Sequence, residues 1–208
     1  MQIQLQTLKA ANIAAAVKDI RYYLTGVLVE FRAQNDAGDV KAIVVGTDGH
    51  MLFAAHTVIN RDDVSEGLPD VGTQIIIPGE VVKACKLRHK SNPFVTLKQI
   101  NETQWQLGDV LFTPIGGKFP DYRRVIPQYS DVNSAAQEVT MYNPDVLVRA
   151  RDALKLYTGE SKSVMYSIAQ RGNDASVMHT GDTRAVVVIM PLRNDAVVYS
   201  AKYQGFAA

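Results

Sequence analysis

Hydrophobic and polar positions along the chain repeat one pattern three times. Each copy, or unit, reads as a strand, a helix with apolar side chains at helical spacing, and three alternating strands. The first unit predicts strands over 3–6, 24–33, 41–46 and 51–58, with a helix over 8–20. The second predicts strands over 74–77, 94–100, 104–107 and 110–115, with a helix over 78–89. The third predicts strands over 139–142, 163–170, 175–180 and 185–190, with a helix over 144–157.

Helix and turn signals support this repeat. Pro78 and Pro144 are predicted at the first helical position, and Asn143 is a suitable N-cap. The last hairpin of every unit carries a Gly/Asp pair. A repeat of about 65 to 70 residues is longer than the units of solenoid proteins. We therefore expect an α+β fold with antiparallel sheets on one side and helices on the other.

The stretch 117–127, GKFPDYRRVIP, is called the connector below. Glycines open it and two prolines interrupt it, so neither a regular helix nor a central strand can run through it. It is either an ordered link between domains or an ordinary surface loop in which Asp121 pairs with Arg123 or Arg124. Composition alone favours the surface loop.

Composition favours a soluble globular protein, with 47% hydrophobic and 21% charged residues among 208. We expect a cytoplasmic chain without a membrane span or signal peptide. The single cysteine, Cys85, excludes an internal disulfide. His50, His56, His89 and His179 lack metal-ligand spacing, and no glycine-rich phosphate loop is present. We therefore expect neither an enzyme nor a bound cofactor or metal.

With the helices taken as 8–20, 79–90 and 144–157, they carry nine basic and four acidic side chains, a net +5, although the whole chain is only +1. If these helices share one surface, that surface attracts a phosphate backbone without reading bases. The alternative is that these cations merely solvate exposed helix faces. The basic residues are Lys9, Lys18, Lys83, Lys86, Arg88, Lys90, Arg149, Arg151 and Lys155.

Four segments resemble the bacterial DNA polymerase III β subunit, the sliding clamp, and they occur in that family's order. They are RYYLTGVLVE (21–30), TDGH (47–50), the connector and VIMPLR (188–193). The resemblance implies the DNA-clamp fold and a non-enzymatic processivity factor. Such a factor encircles or associates with duplex DNA, helices inside and sheets outside, and tethers a polymerase.

The resemblance also implies two sites. The first is the DNA-facing helical side, where Arg21, Tyr22 and Tyr23 lie near the rim, although the two tyrosines also suit boundary packing. Its expected residues are Lys9, Lys18, Arg21, Tyr22, Tyr23, Lys83, Lys86, Arg88, Lys90, Arg149 and Lys155. The second is a cleft for peptides of polymerases and clamp loaders. Its expected residues are Leu24, Thr47, Gly49, His50, Leu52, Pro127, Val188, Met190, Pro191 and Leu192.

The chain departs from the family in its number of units. The family's chain has three domains of two units each, whereas residues 1–127 match one complete domain and 128–208 only half of another. An unpaired sheet edge should then lead to a homo-oligomer, or be capped by the tail over 196–203. Met51 stands where the family commonly carries arginine. The alternative function is a decoy or accessory that binds clamp partners without encircling DNA.

Overall fold

The computed structural model describes residues 1–36, 38–60, 69–87, 92–127, 141–160, 166–169 and 174–192. The helices are α1 (Leu5–Ala14), α2 (Gly79–Ala84) and α3 (Pro144–Thr158). The strands are β1 (Gln2–Gln4), β2 (Gly26–Ala33), β3 (Val40–Thr47), β4 (Met51–Ile59), β5 (Gln74–Pro78), β6 (Phe94–Gln99), β7 (Trp105–Leu107), β8 (Val110–Phe112), β9 (Ser167–Ala169), β10 (Ser176–His179) and β11 (Ala185–Ile189).

These strands form two antiparallel sheets. The larger has the order β5-β2-β3-β4-β11-β10-β9, and the smaller has the order β1-β6-β7-β8. The first two units exchange their first strands, because β1 pairs with β6 of the second unit while β5 pairs with β2 of the first. Each of the two predicted units therefore contributes one strand to the sheet of the other, and the two units form one body.

The third unit continues the sheet of the first unit. Its last strand, β11, pairs with β4 from Ala185 opposite Ala55 to Ile189 opposite Met51. Of the strand predicted over 139–142, residues 139 and 140 lie outside the described residues, and Met141 forms a bridge with Leu192, whose N–H donates to the Met141 carbonyl oxygen at 2.8 Å. The predicted capping tail, 196–203, lies outside the described residues.

The three helices form one layer on one face of the larger sheet, as predicted. Helix α1 packs against both α2 and α3 and lies across β2, β3 and β4. We call this arrangement the helix layer. Its closest approach is at Gly46 of β3, where an added Cβ would lie 1.9 Å from the Ala11 carbonyl oxygen. A side chain at Gly46 would therefore push α1 away from the sheet.

Two helices are shorter than predicted. Helix α1 begins at Leu5 instead of residue 8 and ends at Ala14 instead of residue 20. It ends there because the backbone becomes extended at Ala15, and Lys18 further on has a positive φ of 56°. Helix α2 ends at Ala84, since the backbone turns extended at Cys85, whose buried thiol faces the Leu107 carbonyl oxygen. Pro78 ends β5 instead of starting the helix.

Helix α3 follows its sequence signals. It begins at Pro144, and the Asn143 side chain accepts a hydrogen bond from the Asp145 backbone N–H at 2.9 Å. Its last turn is followed by Gly159 in the left-handed conformation with φ 72°. Both ends of α3 are therefore fixed by local capping, which explains why its bounds were predictable.

The connector covers the opposite face of the larger sheet. Phe119 and Tyr122 are buried there in a second apolar core with Leu28, Val45 and Leu52. Strand residues thus alternate between the helix layer and this core, so β2, β3 and β4 are buried on both faces. The connector is ordered, and Asp121 also pairs with both Arg123 and Arg124.

Glu30 anchors the connector to the sheet. Its carboxylate is 4% exposed and accepts hydrogen bonds from the Tyr122 hydroxyl at 2.7 Å, from Gln74 at 3.1 Å and from the Arg123 guanidinium. Burial pushes the pKa of Glu30 upward, but the hydrogen bonds from Tyr122, Gln74 and Arg123 together hold it below its ordinary value. Arg123 also stacks over the Tyr122 ring, 4.7 Å from its centroid.

We expect Glu30→Gln to lower the free energy of unfolding by about 2 kcal/mol, because the hydrogen bonds from Arg123 and Tyr122 lose their charged acceptor. The control Tyr122→Phe removes one hydrogen bond and should cost about 1 kcal/mol. Urea denaturation measures both. The folded-state pKa of Glu30 is lowered, so its stabilisation is present above the ordinary pKa of 4.5 and is lost as pH falls through the lowered value. A difference between wild type and Glu30→Gln that grows below pH 4.5 would contradict this assignment.

Candidate partner cleft and helical face

A cleft of about 200 Å³ opens on the connector side of the larger sheet, where the first unit, the third unit and the connector meet. Its walls are mainly apolar. From the first unit and the third unit they comprise Arg21, Leu24, Thr47, Gly49, Met51, Leu52, Val188 and Met190. From the connector they comprise Pro120, Asp121, Tyr122 and Val125.

The structure brings together six of the ten residues expected in the cleft, namely Leu24, Thr47, Gly49, Leu52, Val188 and Met190. Val188 lies directly opposite Leu52 in the β4–β11 pairing. Met190 is 41% exposed at the rim, and its backbone N–H donates to the His50 carbonyl oxygen at 2.9 Å. The cleft therefore depends on the junction between the first and third units.

Four expected residues do not line this cleft. They are His50, Pro127, Pro191 and Leu192. Of these four, His50 and Leu192 are exposed to solvent, whereas Pro191 is buried. Sequence reasoning also missed Arg21 and the connector residues as wall elements. The connector had been singled out for its composition, but its packing against β2 and β4 is a tertiary contact that composition does not encode.

Hydrogen bonds shape the turn between β3 and β4. Asp48 Oδ1 accepts from the backbone N–H groups of His50 at 2.8 Å and Met51 at 2.9 Å. Thr47 Oγ1 donates to the Met51 carbonyl oxygen at 2.7 Å and accepts from the Gly49 N–H at 3.1 Å. Gly49 has φ 91°, a conformation that favours glycine. Thr47, Asp48 and Gly49 thus form a fixed turn at the cleft wall.

Two expected DNA-facing residues have other contacts. Arg149 forms a 2.6 Å ion pair with Asp48 and donates to the Ile13 carbonyl oxygen, so it turns into the protein. Arg21 is bidentate to Asp19, with Nε–Oδ1 3.0 Å and Nη2–Oδ2 2.7 Å. Hydrogen bonds from the Arg21 side chain and backbone lower the pKa of Asp19 to about 2. Both guanidinium groups thus have acceptors within the protein, although the Arg21 side chain remains 46% exposed.

Tyr22 and Tyr23 lie on the chain between α1 and β2. Their rings meet edge to face with centroids 5.8 Å apart. Tyr22 is 57% exposed, whereas Tyr23 packs against the second core. Gly117 lies close to both side chains, since a Cβ added to it would be 3.4 Å from the Tyr22 hydroxyl oxygen. Tyr22 therefore has an exposed ring face, and Tyr23 acts as packing.

The described cations of the helix layer differ in exposure. Lys83 on α2 and Arg151 and Lys155 on α3 are exposed, and Lys18 and Lys86 are exposed on the segments that follow α1 and α2. Lys9 is half-buried, and Arg88 and Lys90 lie outside the described residues. Within the observed helix bounds, five basic side chains face three acidic ones, so the excess is smaller than predicted.

The described residues contain no group of three or more His, Cys, Asp or Glu side chains arranged to hold a metal. Burial raises the pKa of the Cys85 thiol. Across the same part of the chain, no helix has the length and apolarity that crossing a bilayer requires.

Comparison with known proteins finds the bacterial clamp in both sequence and fold. The chain is 32% identical over 126 residues to the beta sliding clamp of Proteus mirabilis, covering 58% of this chain and 31% of that protein. It is 30% identical over 162 residues to the beta sliding clamp of Caulobacter vibrioides, covering 76% and 40%. The chain thus spans about a third to two fifths of the length of these relatives. No family model matches the chain.

Solved structures extend the likeness in fold. The DNA polymerase III subunit beta of Pseudomonas aeruginosa aligns with a TM-score of 0.63 and 17% identity, over 93% of this chain and 66% of that one. The Borrelia burgdorferi subunit, in complex with a natural product, gives 0.67 and 15% over 93% and 62%. The Bartonella birtlesii sliding clamp bound to griselimycin gives 0.59 and 18% over 93% and 66%.

The sequence likeness covers up to three quarters of the chain, and the fold likeness covers nearly all of it. The chain accordingly has the DNA-clamp fold, and its resemblance to the bacterial DNA polymerase III β subunit, the sliding clamp, is confirmed over part of that subunit's length.

Proposed function

We propose that this chain is a sliding-clamp-like processivity factor that associates non-specifically with duplex DNA and tethers a DNA polymerase through the cleft. The observation that carries the proposal is the cleft itself. Residues distant in sequence, such as Leu24, Leu52 and Met190, line one cleft, which supports the proposal. In this proposal the chain is a non-enzymatic cytoplasmic protein that needs no cofactor.

The chemistry of the cleft suits a hydrophobic peptide segment. Its floor is apolar at Leu24, Leu52 and Val188, and Met190 at the rim is a flexible, polarisable side chain that adapts to different anchors. The binding mode would be an extended segment whose apolar side chains enter the cleft. The partners are peptides of DNA polymerase and clamp-loader type. Because the Bartonella birtlesii clamp is bound to griselimycin, that compound is a test ligand for this chain, and substitutions in the cleft decide whether it binds there.

The helix layer would face DNA. Lys83 and Lys155 present charge from two helices that both pack on α1, without a groove-reading element, which suits contacts to the phosphate backbone. An assembly that holds DNA by topological linkage needs only weak direct contacts. The modest charge excess of the helices is therefore compatible with sliding.

A homo-oligomer is the natural state of a chain with these sheet ends. In the first two units, the counterparts of β9 are β2 and β6, and each pairs with the first strand of the other unit. Strand β9 has β10 on one side and no described strand on the other. A second copy could therefore complete the third unit as the first two complete each other, with reciprocal pairing across a two-fold axis.

For the cleft, we expect Met190→Ala with Leu52→Ala to weaken griselimycin binding by about 2 kcal/mol, roughly thirtyfold, because two apolar anchors are lost. Calorimetry measures the affinity, and a thermal melt confirms folding. Since Leu52 is buried, Met190→Ala alone provides a second, less disruptive variant. The control Leu111→Ala with Val58→Ala removes exposed apolar side chains elsewhere and should change nothing. Unchanged affinity in the folded cleft variants would refute the use of this cleft.

For DNA, we expect Lys83→Glu with Lys155→Glu to weaken salt-sensitive binding to duplex DNA and to reduce the slope of log K against log salt by about two. The control, Lys41→Glu with Arg124→Glu, makes the same charge change on the connector side of the sheet. Fluorescence anisotropy over a salt series distinguishes them. Equal losses in both variants would indicate a general charge effect and remove the helix layer from the proposal.

For assembly, light scattering should give a mass that is a multiple of the 22.9 kDa chain. We expect Ile168→Lys to produce the monomer, because a lysine on β9 opposes edge-to-edge pairing. Val58→Lys, at an exposed position of the paired strand β4, is the control. A monomeric wild type that binds polymerase but is not retained on closed circular DNA would instead favour a decoy or accessory binder.

A further inference from the structure

We propose that Arg149, on helix α3 of the third unit, is a positioning residue for the cleft, which holds the turn at Asp48 and Gly49 in its binding shape. This inference rests on the proposed function, since the cleft partners are themselves proposed. It gives Arg149 a task different from the DNA contact that its sequence position suggested.

One guanidinium connects three segments. Arg149 Nη1 lies 2.6 Å from Asp48 Oδ2, while Nη2 and Nε donate to the Ile13 carbonyl oxygen at 2.8 and 3.3 Å. Ile13 is in the last turn of α1, where carbonyl groups lack partners within the helix. The planar fork of arginine satisfies both acceptors at once, which a lysine ammonium does less well.

The two oxygens of Asp48 have separate tasks. Oδ1 accepts from the His50 and Met51 backbone N–H groups and thereby forms the turn, while Oδ2 is held by Arg149. The side chain of Asp48 is 13% exposed and that of Arg149 is 34% exposed, so this short ion pair is partly shielded from water. Fixing one oxygen fixes the rotation of the carboxylate, and hence the direction of the other.

Arg149 contacts both segments that lead into the cleft wall. The chain after Ile13 returns through Ala16, whose N–H donates to the Leu24 carbonyl oxygen at 2.9 Å. Arg21, on the same segment, donates to the Asp48 carbonyl oxygen at 3.2 Å. Leu24, Arg21 and the turn are all cleft walls. The third unit therefore acts on the cleft twice, by supplying Val188 and Met190 and by bracing the turn from the helix layer.

The test is a double-mutant cycle read by griselimycin affinity. Arg149→Met removes the brace but keeps the apolar stem, and we expect affinity to fall about tenfold. Asp48→Asn keeps an oxygen for the turn and loses the charge, so Arg149→Met should add little in that background. Arg149→Lys should recover part of the loss. Arg151→Met on the same helix, paired with exposed Asp152, is the matched control and should leave affinity unchanged.

Hydrogen exchange separates positioning from general stability. Arg149→Met should speed exchange of the His50 and Met51 amides while buried amides of β2 keep their protection. Slow exchange at both turn amides, together with griselimycin affinity within twofold of wild type, would overturn the inference and leave the proposed function standing. If wild type binds neither griselimycin nor a peptide of polymerase type, the proposed cleft function fails, and the exchange experiment alone still decides whether Arg149 holds the turn.

Discussion

The antiparallel pairing of β4 with β11 is the contact on which the rest of the structure depends. It merges the strands of the first and third units into one seven-stranded sheet and sets Val188 opposite Leu52. Side chains alternate between the faces of a sheet, so a slip of one residue would turn Val188 toward the helix layer and remove it from the cleft. The register of this one strand pair therefore determines both the continuity of the sheet and the shape of the site.

Both faces of that sheet need a cover, and the chain provides two different ones. On one face lie the three helices, with alanines of α1 and α3 in the shared core and Gly46 allowing close contact with β3. On the other lies the connector, held by Phe119, Tyr122 and the buried Glu30 carboxylate. The helices provide breadth, whereas the connector provides one specific polar anchor. A buried charge requires its partners in place, so this anchor also fixes the position of the cleft wall.

The sequence predicted most strands to within one or two residues, because alternation and Gly/Asp turns are local signals. The ends of α1 and α2 were wrong, since Ile13, Val17 and Ile20 continue a helical spacing that the structure does not follow. The helix ends where two tertiary hydrogen bonds form. The Ala16 N–H donates to the Leu24 carbonyl oxygen, and Arg149 donates to the Ile13 carbonyl oxygen. Six cleft residues could be named from the resemblance. Tyr122, Arg21 and the role of Arg149 could not, because each depends on contacts between distant segments.

The floor of the cleft spans two neighbouring strands from different units, β4 with Leu52 and β11 with Val188. A ligand that contacts both strands therefore links the first unit to the third. By mass action, a ligand present at a hundred times its dissociation constant makes separation of the two strands harder by about 2.7 kcal/mol, provided that the parted state does not bind it. Conversely, any process that separates β4 from β11 must also release the ligand. Binding of a partner in the cleft and pairing of β4 with β11 would then be thermodynamically linked.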